Sequence, residues 1–458
     1  MNKKIVLLSL CIAGIFPATA GVWQPYSETT SVDVPGKMIS VIAPFVQHHM
    51  ATQAFDAHHN EVELDAMIFG KEFTIGDVYL LSKLAKESKL QEAANPQDNS
   101  GWLATLSDAK IDIEAVQKCF RFGFNGSVTL PQHGNDGLKV ILGFSLPFEY
   151  YEHSMDLDFP DSELGANSVT TSSLHSVFLQ NYGTVESFFY RDVIGLKGLV
   201  FKELQRGLGV GTTQLFALLD LSNYAHEKIE KMQVGVILGV PTGTEPDSSV
   251  VWPIERGSSN AVQLGILSNI TWAGNRYFNP FFSCRILGNL ASTVSQRVPR
   301  KYTFAANTSM ATAGIINRSA TTSGTSTGML LNTAIDRYET DVPYFADTAI
   351  PVDRTLGARF DVKFGNSINY YDKLILNTWY YFHQRLGDKV KAAQGAPAGV
   401  YNFDVVTART NQRTHSFGWD VAYPFGIDKA FSIGSQHAIR GKNSPRYHSV
   451  FVAFETSF

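Results

Sequence analysis

The chain closes on Tyr447-His448-Ser449-Val450-Phe451-Val452-Ala453-Phe454-Glu455-Thr456-Ser457-Phe458. Val450, Val452, Phe454, Thr456 and Phe458 fall on one face; Ser449, Phe451, Ala453, Glu455 and Ser457 fall on the other. A period of two marks a β-strand with two unlike faces. The apolar face runs to the last residue, which is aromatic. A soluble sandwich would place such a strand at an edge. A closed barrel would build it into the wall.

Similar runs recur along the chain. Candidate strands lie near residues 39, 62, 120, 138, 209, 232, 261, 281, 358, 374, 416, 431 and 447, about thirteen in all. The clearest is Ala358, Phe360, Val362 and Phe364 against Arg359, Asp361 and Lys363. Thr74 to about Ala94 reads differently: Thr74 with Asp77 forms a capping box, and Val78, Leu81, Leu84 and Ala85 fall at helical spacing.

The connections sort by length. Counting back from the last strand, the long ones are about 388–412, 305–353, 243–258, 150–207 and 70–115, and all fall at one end. The short ones are about 426–429, 366–370, 274–276, 222–230 and 132–137, and all fall at the other. Transmembrane β-barrels show this pattern, with short periplasmic turns and long outer loops. A sandwich has no reason to sort loops by parity. Lipid offers no hydrogen-bond partners, so a sheet that crosses a bilayer closes on itself. The expected fold is therefore all-β: an antiparallel transmembrane barrel of 12–14 strands with long extracellular loops and a small helix near residues 74–94. An even strand number puts both termini at the periplasmic end. Pro44 lacks an amide hydrogen, so the preferred count of twelve leaves Ile39–Val46 out of the wall. Trp272, Tyr277, Trp379, Tyr380, Tyr423 and Tyr447 are placed as interface aromatics.

Lys3 and Lys4, the apolar run Ile5 to Phe16, and Ala18-Thr19-Ala20 before Gly21 read as a secretory signal peptide over residues 1–20. Residues 21–458 then form a single barrel domain, with a helical insertion at about 70–115. No stretch of about 18 apolar residues follows, so no transmembrane helix is expected. The chain is 44% hydrophobic, 17% charged and 12% aromatic, which suits alternating strands rather than disorder. Without Lys3 and Lys4, 36 basic residues stand against 42 acidic, about −6, which argues against a nucleic-acid partner. Cys119 and Cys284 read as two isolated thiols.

The ending, with Phe454 and Phe458 at alternate positions of a terminal strand, resembles the C-terminal signature of Gram-negative outer-membrane barrels. Gly207-Leu208-Gly209-Val210-Gly211 and the run Val234 to Gly243, ending Pro241-Thr242-Gly243, resemble the outer-membrane channels for hydrophobic compounds, the fatty-acid and aromatic-compound transporter group. General porins are the neighbouring family, and this chain lacks their basic ladder opposite an acidic constriction loop. The resemblance implies an outer-membrane channel, inserted by the barrel-assembly machinery through the C-terminal strand, with lipid and lipopolysaccharide around it and a small-molecule solute inside.

Lumen-facing candidates are Arg121, Arg285, Arg359, Asp361, Lys363, Asp420, Glu61, Glu63 and Asp65. Their mixed signs select neither cations nor anions. His48, His49, His58 and His59 fall close together and form a candidate divalent-metal site. The bland reading is a set of polar loop histidines. There is no H-E-x-x-H, and nothing in the spacing nominates a nucleophile with its base, so no enzyme and no cofactor are expected. The expected function is passive passage of small, hydrophobic solutes. The alternatives are a surface-binding, adhesin-like barrel acting through its loops and, more weakly, an outer-membrane hydrolase.

Overall fold

The computed structural model describes residues 39–69, 111–130, 138–159, 185–195, 198–254, 261–275, 277–298, 349–370, 374–394, 401–425 and 429–457. Among these, twelve antiparallel wall strands follow one another around a closed ring. They are β1 (Ile39–Ala51), β2 (Asp112–Thr129), β3 (Lys139–Asp158), β4 (Leu204–Val210 and Thr213–Asp220), β5 (Ile229–Val240), β6 (Gln263–Trp272), β7 (Asn279–Asn289), β8 (Arg359–Tyr370), β9 (Leu374–Arg385), β10 (Gln412–Pro424), β11 (Lys429–Lys442) and β12 (His448–Ser457). Each pairs with its sequence neighbour, and β1 closes on β12, so no edge is left open.

The closure corrects one expectation. Twelve strands are present, but Ile39–Val46 is one of them. The ladder between β1 and β12 passes from Ile42↔Thr456 to Phe45↔Ala453 and skips Ala43 and Pro44. Proline therefore sits where that ladder is interrupted and its missing N–H costs nothing there. The segment expected as a strand near residue 62 is not in the wall. Only Glu61–Glu63 is extended, and Leu64–Phe69 is a helix. Leu64 and Ile68, both buried, are four apart, a spacing that either structure puts on one face, and Leu-Asp-Ala-Met is helix-favouring.

The region expected to be irregular from 150 onward is also shorter. β3 runs to Asp158 and β4 resumes at Leu204. Between them, Val185–Phe188 is one helical turn followed by a π-helical stretch, Phe189–Gly195. The helix expected at 74–94, the signal peptide and Phe458 lie outside the described residues.

Outward positions form a continuous apolar belt: Ile42 and Val46, Phe120 and Phe124, Leu142 and Phe144, Leu215 and Leu219, Val236, Ile266, Phe360 and Phe364, Phe417, Ile433 and Val450 are all exposed. A water-soluble barrel would not leave such a belt bare; a bilayer covers it. Tyr277, Tyr423 and Tyr380 are exposed on this outer surface, but Trp379 and Tyr447 are buried inside the barrel. Trp379 alternates with the polar lumen residues Asn377 and His383, which sets its direction.

The connections 130–138, 221–228, 273–278, 371–373 and 425–428 are short and share one end. At the other end stand the long ones, with one exception: 443–447 is short. It supplies Ser444–Pro445 to a small sheet with Gln53–Phe55 and Glu61–Glu63. A second sheet of Ser292–Arg297, Ala349–Thr355 and Lys389–Ala392 also belongs to the long-loop end. It shares a core of Val294, Val298, Ile350, Val352, Tyr401 and Val406 with the short helix Phe403–Thr407.

Candidate functional site: a bridged lumen

A barrel of about eight strands is filled by its side chains, whereas sixteen or more leave an aqueous channel. Twelve lie between, so the lumen is decided by which side chains point inward. Phe281 from β7, Trp379 and Tyr381 from β9, Phe451 from β12 and Ala51 from β1 share one buried cluster with Tyr447. β7 and β1 lie on opposite sides of a twelve-membered ring, so the cluster bridges the lumen.

The rings are seated by glycines on neighbouring strands. A Cβ at Gly418 would strike the Trp379 indole, one at Gly365 the Phe281 ring, and one at Gly434 the Phe451 ring. Trp379 and Phe451 lie 6.2 Å apart between centroids. The Lys363 ammonium stands 3.9 Å from the Trp379 ring centroid and 5.3 Å from that of Phe281. A cation over an aromatic face is held by the ring quadrupole.

Two ion-pair groups flank the aromatic cluster. Arg121 on β2 meets Glu149 on β3 at 3.1 Å. Arg285 on β7 meets Asp361 on β8 at 2.8 Å. Asp361 also accepts from the Tyr381 hydroxyl at 2.8 Å and lies 2.6 Å from Nδ1 of His383. Both pairs are buried, so their mutual attraction works against a desolvation cost, and at Asp361 the bonds from Tyr381 and His383 add to it. Asp420 accepts from Asn377 at 2.8 Å nearer the short-turn end.

The long-loop mouth is narrowed from above. The connection after β5 turns inward, and Val250, Val251 and Trp252 are buried. Trp252 stacks on His153 of β3 at 4.2 Å. Gln205 of β4 donates to the carbonyls of Val251 and Trp252 at 3.0 and 3.3 Å. Trp252 has φ of 54°, a conformation that costs a non-glycine residue about 1–3 kcal/mol.

The Pro-Thr-Gly motif has a structural task. Thr213 donates its amide to the Thr242 hydroxyl at 2.9 Å, and that hydroxyl is also bonded to the Gly211 carbonyl. Thr242 thus clips the break at Gly211 and Thr212 that divides β4. A side chain at Gly211 would meet the Glu149 carboxylate at 2.6 Å.

Six sequence candidates, Arg121, Arg285, Arg359, Asp361, Lys363 and Asp420, lie at inward positions of wall strands. Glu61, Glu63 and Asp65 do not. Glu61 pairs with Arg446 at 2.8 Å in the small sheet outside the wall, Glu63 is exposed there, and Asp65 is buried in the short helix. The four histidines do not converge. His48 and His49 are adjacent on β1 and point to opposite faces; buried His49 bonds Ser449 at 2.9 Å. His58 is exposed, and His59 bonds the Gly441 carbonyl at 2.7 Å. Cys119 points inward and Cys284 outward, and both thiols are free. Phe454 points outward on β12. Glu149, His383, Tyr381 and Trp252 escaped sequence reading. For the first three, parity along their strands was signal enough; Trp252 sits on a loop and carried none.

Closed sheet, apolar exterior and polar, bridged interior together define a transmembrane β-barrel. Among solved structures it is similar to an outer membrane channel from Pseudomonas putida F1, with 10% identity, TM-score 0.47, and coverage of 93% of this chain and 100% of that one. It also matches a mutant of the TodX monoaromatic hydrocarbon channel, with 9% identity, TM-score 0.31 and coverage of 94% and 92%. The transport unit of the autotransporter AIDA-I from Escherichia coli matches at 6% identity and TM-score 0.33, covering 92% and 90%. No family model and no curated protein matches the chain.

Proposed function

We propose that the chain is an outer-membrane channel that passes small hydrophobic, ring-bearing solutes by passive diffusion through the lumen. The observation that carries this reading is the aromatic bridge of Phe281, Trp379, Tyr381 and Phe451, with charges beside it that are already paired. An apolar ring can replace aromatic contacts along this path; a hydrated ion would lose water there and find the local charges neutralised. The bridge also argues against passage of a polypeptide. In this reading the long loops are extracellular, the short turns and both termini are periplasmic, residues 1–20 are removed on export, and β12 is read by the assembly machinery. Lipopolysaccharide then surrounds the long-loop end of the belt.

The adhesin-like alternative draws on the loop sheet of Ser292–Arg297, Ala349–Thr355 and Lys389–Ala392, which has its own apolar core. Uptake into proteoliposomes separates the two. Small aromatic solutes should enter faster than sugars of similar mass, with low ionic conductance. Equal entry of both solutes with large conductance would mark a general porin, and no entry of either would favour the loop-binding reading.

A further inference from the structure

The outer wall carries a histidine pair that the lumen reading does not use. His437 on β11 and His448 on β12 are register partners. Directly opposite residues have Cβ atoms about 4.5–5.5 Å apart. Their Nδ1 atoms face each other at 2.8 Å and their ring centroids lie 5.1 Å apart. Both side chains are exposed. His448 opens β12 at the long-loop end of the wall, directly after the turn 443–447, and the register partner of His437 on its other side is Phe417.

We propose that His437 and His448 form a two-histidine site for a divalent transition-metal ion of the zinc, copper and nickel class. Imidazole nitrogen is a good ligand for these ions. Nε2 of His437 is engaged by the Ser435 hydroxyl at 3.0 Å, which leaves Nδ1 as the atom facing His448. An outer partner of this kind fixes ring orientation and ligand tautomer. Nδ1 of each ring therefore points at one shared locus. Metal–nitrogen bonds of about 2.0–2.1 Å at a tetrahedral angle separate the two nitrogens by roughly 3.3 Å. The rings need part by only about half an ångström from their 2.8 Å contact. No group of three or more His, Cys, Asp or Glu is assembled for a metal among the described residues, so water or headgroup oxygens complete the coordination.

The turn 443–447 keeps the pair together. Asn443 adopts φ of 48°, its amide donates to the Asp56 carbonyl at 3.1 Å, and its side-chain amide donates to the Asn411 carbonyl at 3.1 Å. A slip of one residue would send one imidazole to the lumen side. Of the neighbouring outer-wall histidines, His415 on β10 is committed to the Tyr380 hydroxyl, and His48 on β1 is opposite Val450 rather than His448.

The test is Cu(II) titration of the full-length protein in detergent, without a polyhistidine tag, read by electron paramagnetic resonance with Zn(II) as competitor. Wild type should show one site with two nitrogen ligands. His437→Ala and His448→Ala should each weaken it by roughly tenfold or more, and the double variant should lose little beyond either single one, because a chelate acts as a unit. His58→Ala, on an exposed turn, should leave it unchanged. Heat-modifiable migration confirms that each variant is folded. A wild-type affinity equal to that of the folded double variant, a one-nitrogen spectrum, or singles that each lose half of an additive signal would overturn the site.

Discussion

Trp379→Ala removes the largest ring of the lumen bridge. Trp379 is 4% exposed, lies against Phe451 at 6.2 Å and donates from Nε1 to Gln436 at 3.4 Å. Truncating a buried tryptophan to alanine costs about 3–5 kcal/mol. Lys363 also loses an aromatic face that it approaches to 3.9 Å, worth up to about 2 kcal/mol when desolvated and not simply additive with the first. The barrel retains its twelve-strand ladder, so the variant should still fold, with a lower temperature of conversion on semi-native gels. The indole's volume becomes free in the middle of the lumen. Single-channel conductance should rise and aromatic solutes should lose their advantage over sugars. Gly418→Ala perturbs the same ring from behind, since its Cβ would meet the indole; it should alter flux without emptying the lumen. If folded Trp379→Ala shows wild-type conductance and wild-type selectivity, the aromatic bridge does not limit passage.

Phe360→Lys, on the exposed belt of β8, should destabilise the barrel by about 2–4 kcal/mol if the residue meets mid-bilayer lipid, whereas Arg359→Ala on the inward side should change permeation more than stability. Equal losses in a reconstituted unfolding assay would reverse the assigned faces. Trp252→Gly relieves a backbone strain of about 1–3 kcal/mol but deletes the ring stacked on His153; solute flux should increase, and protease access to the connection after β5 should rise. Asp388, in the loop after β9, accepts from Arg354 and Arg385 at 2.8 and 2.7 Å. Burial by itself would raise its carboxyl, but the two guanidiniums outweigh burial and hold it below the usual carboxylate range. Its stabilisation is therefore complete above the ordinary value near 3.9 and is lost only as pH falls through the lower folded value. Protease resistance of the 349–394 region should hold from neutral pH to about pH 4 and fail below it, and Asp388→Asn should lose it at neutral pH by leaving two buried arginines facing each other.

The period-two alternation and the sorting of connections by length were enough to establish an antiparallel membrane barrel, because both follow from local backbone geometry and from the absence of hydrogen-bond partners in lipid. Parity also placed Arg121, Arg285, Asp361, Lys363 and Asp420 on inward positions, since a strand gives each residue only two directions. It failed where two periodicities coincide: Leu64 and Ile68 are four apart, and only the packing of that segment outside the wall decided for helix. It failed again at Pro44, whose tolerance depends on a gap in the ladder with a strand some four hundred residues away, and at Trp379 and Tyr447, where an expectation about interface aromatics displaced the parity that pointed inward. Which strands face one another across the ring is a property of closure and register, and nothing local encodes it. The aromatic bridge, the Arg285–Asp361–His383 group and the His437–His448 pair therefore became visible only in the tertiary structure, because each depends on the register of strands brought together by that closure.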